Sequence, residues 1–392
     1  MPSCPLRPHT GSREVSLQIL NLMQCTNLGG MEQSLYLLMR SLKGRGFDFQ
    51  VVALHPLGPG KEILEAIGVP AIGCPYEGKF GLLSQHFYRR QVARHRPDLV
   101  LVTGASLGSC WASRCFSKTP KVLAVHFHHG RSTWDRWRWR VFYRLASGAF
   151  DKIVFNSDFL LAEAVEIFPP LRGRALAVPN PIPMPEIPQA ADRIRAKEAL
   201  GLPRESRVIG NAGWLISRKR FDLLLRIAAR LLATHPDLQV LIAGSGYDEP
   251  ALKGLAATLG LGPRVHWLGW QKDLRQFYQA LDLLVFNSDA DSVGLTPLEA
   301  MAYGLPVVAS VAYGKGLSET LHHEKSGFLL GEHRLDLLTD YCDRLLRDRE
   351  LAARIGSAAR QAVIDRHHPE KVASVWQAVF AELAGDTPGR CG

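Results

Sequence analysis

Short apolar runs recur along the chain, each followed by a polar or glycine-rich break and then by a stretch of helical periodicity. Val15–Gln24 reads as a strand, broken at Asn27-Leu28-Gly29-Gly30 and followed by a helix with Leu35, Leu38, Met39 and Leu42 on one face. Phe49–Leu54 is again strand-like, and Leu99–Thr103, Lys121–His126 and Lys152–Asn156 are short β-rich runs that end in Gly, His, Asn or Ser. Helical patterns lie between most of them. Such alternation predicts a parallel sheet covered on both faces. Val178–Gln189 holds five prolines and almost no periodicity, so it is expected to be a linker. The alternation then restarts with Val208–Ala212, a helix at Phe221–Ala233, and strands at Gln239–Ala243, Arg264–Leu268, Leu283–Phe286 and Pro306–Ala309. Pro369–Leu383 reads as an amphipathic helix. The expected class is α/β, with two doubly wound halves facing each other and ligands bound outside the carboxyl ends of the strands.

Length and composition agree with that picture. The chain has 392 residues, 46% hydrophobic and 21% charged, which predicts two domains that each bury a core and excludes disorder. The expected division is a flexible tail at 1–14, a first domain at 15–178, a linker at 179–189, a second domain at 190–368, and a helix at 369–385 that could cross back to the first domain. No apolar run approaches membrane-span length, and the first fifteen residues lack the apolar core of a secretory signal. A soluble, cytoplasmic protein is expected. The seven cysteines (Cys4, Cys25, Cys74, Cys110, Cys115, Cys342 and Cys391) show no CxxC pair, which fits a reducing compartment. Cys110 and Cys115 read as small buried apolar residues.

The net charge of +10 is unevenly placed. Residues 1–186 carry 22 Lys+Arg against 13 Asp+Glu, whereas residues 187–392 carry 25 against 24. A basic first half points to an anionic partner.

The segment Asp289–Ser310, DADSVGLTPLEAMAYGLPVVAS, carries the densest chemistry. Gly294-Leu295-Thr296-Pro297 stands where a strand would pass into a helix, and unpaired N–H groups at a helix start favour an anion such as phosphate. Glu299, about one turn in, could accept hydrogen bonds from vicinal hydroxyls. An acidic helix start answering the macrodipole is the plain structural alternative. The pair Asp291-x7-Glu299 followed by AMAYGLPVVAS resembles the signature of family 4 glycosyltransferases, the "glycosyl transferases group 1" type. Other pieces resemble that family in its order: Gly29-Gly30-Met31-Glu32, Val178-Pro179-Asn180-Pro181, Gly213-x5-Lys219, Ala243-Gly244-Ser245-Gly246, Val265–Gly269, and Glu319 ahead of Lys325-Ser326-Gly327-Phe328. The resemblance spans about residues 15–385 and implies the GT-B architecture, two Rossmann-like domains across a cleft.

The resemblance implies a role for each matched residue. Lys219 would neutralise the donor pyrophosphate, Glu299 would hold the ribose hydroxyls, and Asp291 would contact the donor sugar. The N–H groups of Gly294, Leu295 and Thr296 would bind phosphate, and Gly29 and Gly30 would let the backbone approach it. Gly213 and Gly244 would form donor-side turns, and Trp270 would stand by the base-binding loop. His126 would sit near the reacting sugar carbon. His128 is the alternative, because a one-residue slip turns each side chain to the opposite face. Trp214 stands where the family often has Arg, so either Arg218 or Arg220 would supply that charge or the pyrophosphate would be held by fewer contacts. Asp291 stands where the family usually has Glu. Asp289-Ala290-Asp291 also matches the metal-holding DxD of a different glycosyltransferase fold, but its surroundings belong to this one. No metal is expected.

Arg131–Arg144, RSTWDRWRWRVFYR, packs five arginines, three tryptophans, one Phe and one Tyr into fourteen residues. On a helix Trp134, Trp137 and Val141 share a face, flanked by arginines such as Arg138 and Arg140. That pattern suits an anionic membrane surface or an acceptor groove, and an ordinary buried helix with arginine stems reaching solvent is the alternative.

The resulting expectation is a retaining, metal-independent glycosyltransferase. It would move a sugar from a nucleotide-diphosphate donor (UDP first, GDP or ADP as alternatives) to a hydroxyl of a glycan or lipid-linked acceptor, in polysaccharide or lipopolysaccharide assembly. It would use no cofactor beyond that co-substrate, bind no nucleic acid, and attach peripherally to the inner face of the cytoplasmic membrane. The rival readings are a nucleotide-sugar epimerase on the same scaffold and a catalytically silent sugar-nucleotide or glycan binder.

Overall fold

The computed structural model describes residues 16–75, 82–106, 110, 113 and 118–385. The expected tail at 1–14 and Cys4, Cys115 and Cys391 lie outside them. Cys74, Cys110 and Cys342 are buried.

The first half builds a seven-stranded sheet in the order β3-β2-β1-β4-β5-β6-β7, all parallel. Its strands are β1 (Leu17–Met23), β2 (Phe47–Ala53), β3 (Ala71–Gly73), β4 (Leu99–Thr103), β5 (Lys121–Val125), β6 (Lys152–Phe155) and β7 (Ala175–Ala177). The helices between them are α1 (Gly30–Leu42), α2 (Lys61–Ala66), α3 (Leu82–His95), α4 (Thr133–Ser147) and α5 (Asp158–Ile167). Central strands such as β4 are buried at every residue, as near-continuous apolar runs require when helices cover both faces.

The second half repeats the scheme with six parallel strands in the order β10-β9-β8-β11-β12-β13. These are β8 (Val208–Ala212), β9 (Gln239–Ala243), β10 (Val265–Trp267), β11 (Leu283–Ser288), β12 (Val307–Val311) and β13 (Phe328–Leu330). Helices α6 (Ala190–Ala199), α7 (Phe221–Leu231), α8 (Glu249–Thr258), α9 (Arg275–Ala280), α10 (Leu295–Ala302), α11 (Leu335–Arg347) and α12 (Arg349–His367) surround it. The chain reverses its direction of strand addition between β1 and β4 and between β8 and β11. Crevices open at such switch points.

The last helix, α13 (Pro369–Gly385), packs on the first sheet. Val372, Trp376, Phe380 and Leu383 share a core with Leu35, Leu38, Phe47 and Phe49, and Lys152 pairs with Glu382 at 2.8 Å. The proline-rich linker is held where it leaves the first half. The Asn180 carbonyl accepts from His367 Nδ1 at 2.8 Å, and Ile182 N donates to the His367 carbonyl at 2.9 Å. His367 is neutral, since burial lowers its pKa to about 4.

β4, β8 and β9 have the bounds that the sequence pattern marks, and the ends of the other strands it marks differ from it by at most two residues. The edge strands β3, β7 and β13 have three residues each, too few to register as a period.

Candidate active site

The charged groups come from the two strands that flank the second switch point. After β8, Gly213 enters a turn against the turn that follows β9. A Cβ on Gly244 would fall 1.9 Å from the Gly213 carbonyl oxygen, so only glycine permits that approach. The 3-10 turn Ser217–Lys219 then presents Lys219. Its Nζ lies 2.5 Å from Asp291 Oδ2, which follows β11, and the two side chains are 20% and 14% exposed. Lys219 also stands over the Phe286 ring at 5.3 Å. A pair this enclosed is held firmly, and removing one partner strands the other.

The neighbouring arginines divide their work. Arg220 donates to Asp222 at 3.0 Å and to Asp289 at 3.1 Å, and the Asp222 hydrogen bond chiefly raises its already high pKa. It therefore serves acids of its own half. Arg218 donates to the Ala290 carbonyl at 2.5 Å, and its charge is felt by His128 across the cleft. Asp289 also accepts from His333 Nε2 at 3.0 Å, so Asp289 and Asp291 turn to different cations. Among the described residues no group of three His, Cys, Asp or Glu side chains could hold a metal ion.

Helix α10 starts behind Gly294, whose φ of +75° is left-handed and which offers no side chain to cap it. Its first turn is pinned by Thr296 Oγ1, which donates to the Ala212 carbonyl at 3.1 Å. Leu295 projects onto Gly30 of the first half, where a Cβ would meet its Cδ1 at 2.5 Å. Helix α1 begins there, behind Gly29 and again without a side-chain cap. Two helix N-termini thus meet across the cleft, where N–H groups and dipoles favour negative charge. Glu32 folds back over Gly29 and accepts from the Cys25 thiol at 3.2 Å. Within α10, Glu299 accepts from Tyr278 Oη at 2.6 Å. Burial pushes its carboxyl up to about 7, against the pull of that bond.

From the first half, the loop after β5 brings the histidines. His126 adjoins a hollow lined by Ser34, Asn156, Asn180 and Trp376. Both of its ring nitrogens are enclosed without a partner at hydrogen-bond geometry. Burial lowers its pKa to about 4, with Asn180 beside it pulling weakly the other way. His128 is the histidine placed toward the charges. It meets Tyr313 edge-on at 5.7 Å, and burial first, then Arg218, lower its pKa while Asp291 and Glu163 raise it. His129 is buried, with Nδ1 donating to Glu163 at 3.1 Å.

Trp270 follows β10 and is half exposed, as is Trp214 after β8; Tyr247 beyond β9 is almost fully exposed. On α4, Trp134 and Trp137 stack at 4.9 Å and are 61% and 54% exposed. Arg138 and Arg140 are exposed as well. Among the described residues, no hydrogen bond or ion pair joins these four to the charged cluster. The inner face of α4, with Phe142, Tyr143 and Ala146, is buried. Among the residues that the sequence did not bring forward are Tyr278, Glu163 and Tyr313, whose hydroxyl–carboxylate bonds span 21 and 150 positions and form only on folding.

Known proteins match this arrangement. The family model "Glycosyltransferase Family 4" matches residues 28–184, and "Glycosyl transferases group 1" matches residues 192–362. An uncharacterized glycosyltransferase of Haemophilus influenzae is 24% identical over 92% of this chain and 98% of its own. The D-inositol 3-phosphate glycosyltransferase of Nocardia farcinica is 34% identical, over 53% of this chain and 48% of that one, so the chain spans about half of that relative's length. Among solved structures, Anabaena HepE in complex with UDP-glucose superposes with a TM-score of 0.81 at 21% identity, covering 93% of this chain and all of HepE. The lipopolysaccharide outer core galactosyltransferase WaaB superposes at 0.69 and 17%, covering 93% and 100%. With both halves matched in sequence and the whole in fold, the chain belongs to the glycosyltransferases of this family and has the GT-B fold.

Proposed function

We propose that the protein is a retaining, metal-independent glycosyltransferase that takes a nucleoside-diphosphate sugar, UDP-linked in the first instance, and glycosylates a hydroxyl of a glycan or lipid-linked acceptor in cell-surface polysaccharide or lipopolysaccharide assembly. The observation that carries this is the enclosed Lys219–Asp291 pair beside the uncapped N-termini of α10 and α1. An arriving pyrophosphate would draw Lys219 from Asp291 and free the acid for a sugar hydroxyl. Glu299 would accept from the ribose, and Trp270 would flank the base. His126, neutral near pH 7, would offer a ring nitrogen to the sugar. The bond from the anomeric carbon to the diphosphate breaks as the acceptor oxygen bonds to that carbon, and the acceptor proton leaves with the nucleoside diphosphate. Charge on the leaving group is met by Lys219, Arg218 and the α10 N-terminus. HepE, in its complexes with UDP and UDP-glucose, and the galactosyltransferase WaaB support this choice of substrates.

The second half would hold the donor and the first half the acceptor. Trp134, Trp137, Val141 and Leu145 form an exposed apolar stripe on α4, beside exposed Arg138, Arg140 and Arg144. This supports docking on an anionic leaflet, where each basic residue contributes about 1 kcal/mol. No described helix is long and apolar enough to cross a membrane.

Incubation with UDP-, GDP- and ADP-sugars in EDTA tests the reaction. Release of one nucleoside diphosphate by the wild type, lost in Lys219→Ala, supports it. An altered sugar nucleotide without acceptor would point to an epimerase instead, and inert donors would point to a silent binder.

A further inference from the structure

Tyr313 lies just beyond β12, and its main chain and side chain bind opposite walls of the cleft. Its carbonyl accepts from Asp291 N at 2.9 Å, fixing the backbone of the acid that pairs with Lys219. Its hydroxyl donates to the first half, where the Gly130 carbonyl lies at 2.9 Å and Glu163 Oε1 at 2.8 Å. The ring meets His128 edge-on at 5.7 Å and carries the Arg131 guanidinium at 5.1 Å. The next residue, Gly314, has φ +98°, and a Cβ there would fall 1.7 Å from the Asp291 carbonyl oxygen. The backbone at 313–314 is therefore pressed against Asp291.

The anchor on the far side is built into the first core. Glu163 of α5 also accepts from His129 Nδ1 at 3.1 Å, and the other nitrogen of His129 lies 2.5 Å from Tyr143 Oη of α4. His129 and Tyr143 are both buried. The side chains of Tyr143, His129, Glu163 and Tyr313 thus form one hydrogen-bonded chain from the first core to Tyr313, which carries it on to Asp291 through its backbone.

We infer that Tyr313 is a positioning residue, clamping the histidine loop of the first half onto Asp291 of the second so that both meet one donor sugar at once. The inference rests on the glycosyl-transfer reading above. It separates two contributions: nucleotide binding rests on Lys219 and the helix starts of α10 and α1, none of which Tyr313 bonds, whereas alignment of the sugar needs Tyr313. A tie that merely glued the halves together would be interchangeable with any other. The exposed pair Lys272–Glu62, at 2.5 Å, also joins the halves but touches neither Asp291 nor the histidine loop.

The test compares Tyr313→Phe, which keeps the ring and loses both hydroxyl bonds, with Glu62→Gln. The readouts are UDP affinity by calorimetry, kcat and KM for hydrolysis of UDP-glucose or whichever of the UDP-, GDP- and ADP-sugars the wild type consumes, melting temperature, and radius of gyration by X-ray scattering. For Tyr313→Phe the expected result is a kcat at least tenfold lower, nucleotide affinity within twofold, and a larger radius of gyration. Glu62→Gln should leave all four unchanged. A Tyr313→Phe kcat within twofold of wild type overturns the inference. So does a loss of kcat matched by equal losses of nucleotide affinity and melting temperature, which would make Tyr313 ordinary structural support. If the wild type consumes no donor, the reading of function fails, and scattering still decides the clamp: an unchanged radius of gyration refutes it.

Discussion

On the second-half wall of the cleft, the charged side chains already have partners. Lys219 holds Asp291, Arg220 holds Asp222 and Asp289, His333 holds Asp289, and Glu299 is bonded by Tyr278. On the first-half wall, both nitrogens of His126, Nδ1 of His128 and Oδ1 of Asn156 are enclosed without a partner, and Asn287 Nδ2 is the one such buried atom found in the second half among the described residues. Buried polar groups are seldom left unpaired without a reason. On the proposed reading, the difference teaches that donor binding on the second half would be an exchange of partners, whereas the first half would stay unsatisfied until a ligand supplies them.

Breaking the paired wall should have the largest effect. Lys219→Ala removes the cation bonded to Asp291, and turnover should fall about 100- to 1,000-fold, the loss typical of one donor to a developing negative charge. Steady-state assays with the active donor, alongside circular dichroism to confirm folding, measure it. Turnover within threefold of wild type would show that the pyrophosphate is held elsewhere.

Breaking the unpaired wall should cost less and act differently. His126→Ala should lower kcat about 100-fold while nucleotide affinity stays within threefold, because the ring is assigned to the sugar and not to the phosphates. Since burial holds its pKa near 4, His126 contributes no inflection to the rate profile between pH 6 and 8. If His128→Ala shows the larger loss, the histidine facing Arg218 and Asp291 carries the role instead.

A smaller effect sharpens the exchange picture through pH. Glu299 has its pKa raised by burial from 4.5 to about 7, so its folded form keeps a proton that the unfolded chain releases. Its contribution to stability is full below about pH 4.5 and is lost as pH rises through 7. Glu299→Gln should therefore gain stability relative to wild type at pH 8 but not at pH 4, in denaturant titrations at both. Ribose hydroxyls donate to the carboxylate form, so wild-type UDP affinity should rise about tenfold from pH 6 to pH 8 and the variant's should not. A flat wild-type profile would remove Glu299 from the ribose.

The smallest effect on turnover is expected on the exposed face of α4. Trp137→Glu on α4 should leave hydrolysis of the free donor within twofold of wild type. It should abolish co-sedimentation with vesicles containing anionic phosphatidylglycerol. Unchanged vesicle binding, or none by the wild type, would detach α4 from the membrane reading.

Much of the paired wall was legible in the sequence because its residues lie in short, ordered segments. Gly213 to Lys219 and Asp291 to Glu299 each follow a strand that the apolar pattern marks, so parallel pairing of β8 and β11 brings them together. The three-residue edge strands β3, β7 and β13 went unmarked, whereas β10, equally short, was marked by the apolar run Arg264–Leu268. The division between Arg218 and Arg220 was not readable either, because it depends on a left-handed backbone at Arg220 that no spacing announces. Tyr313 and Glu163 escaped because their bond spans 150 positions. The sequence favoured His126 with His128 as the alternative, and the structure shows an enclosed His126 ring by Asn180 and a His128 ring facing the charges.

The central claim, that the Lys219–Asp291 wall is a nucleoside-diphosphate site, is tested most directly by calorimetric titration of wild type and Lys219→Ala with UDP, GDP and ADP in EDTA. The expected result is saturable binding of one nucleotide to the wild type, undiminished by EDTA and at least tenfold weaker in the variant. Absence of binding by the wild type at millimolar nucleotide, or equal binding by both proteins, would contradict it.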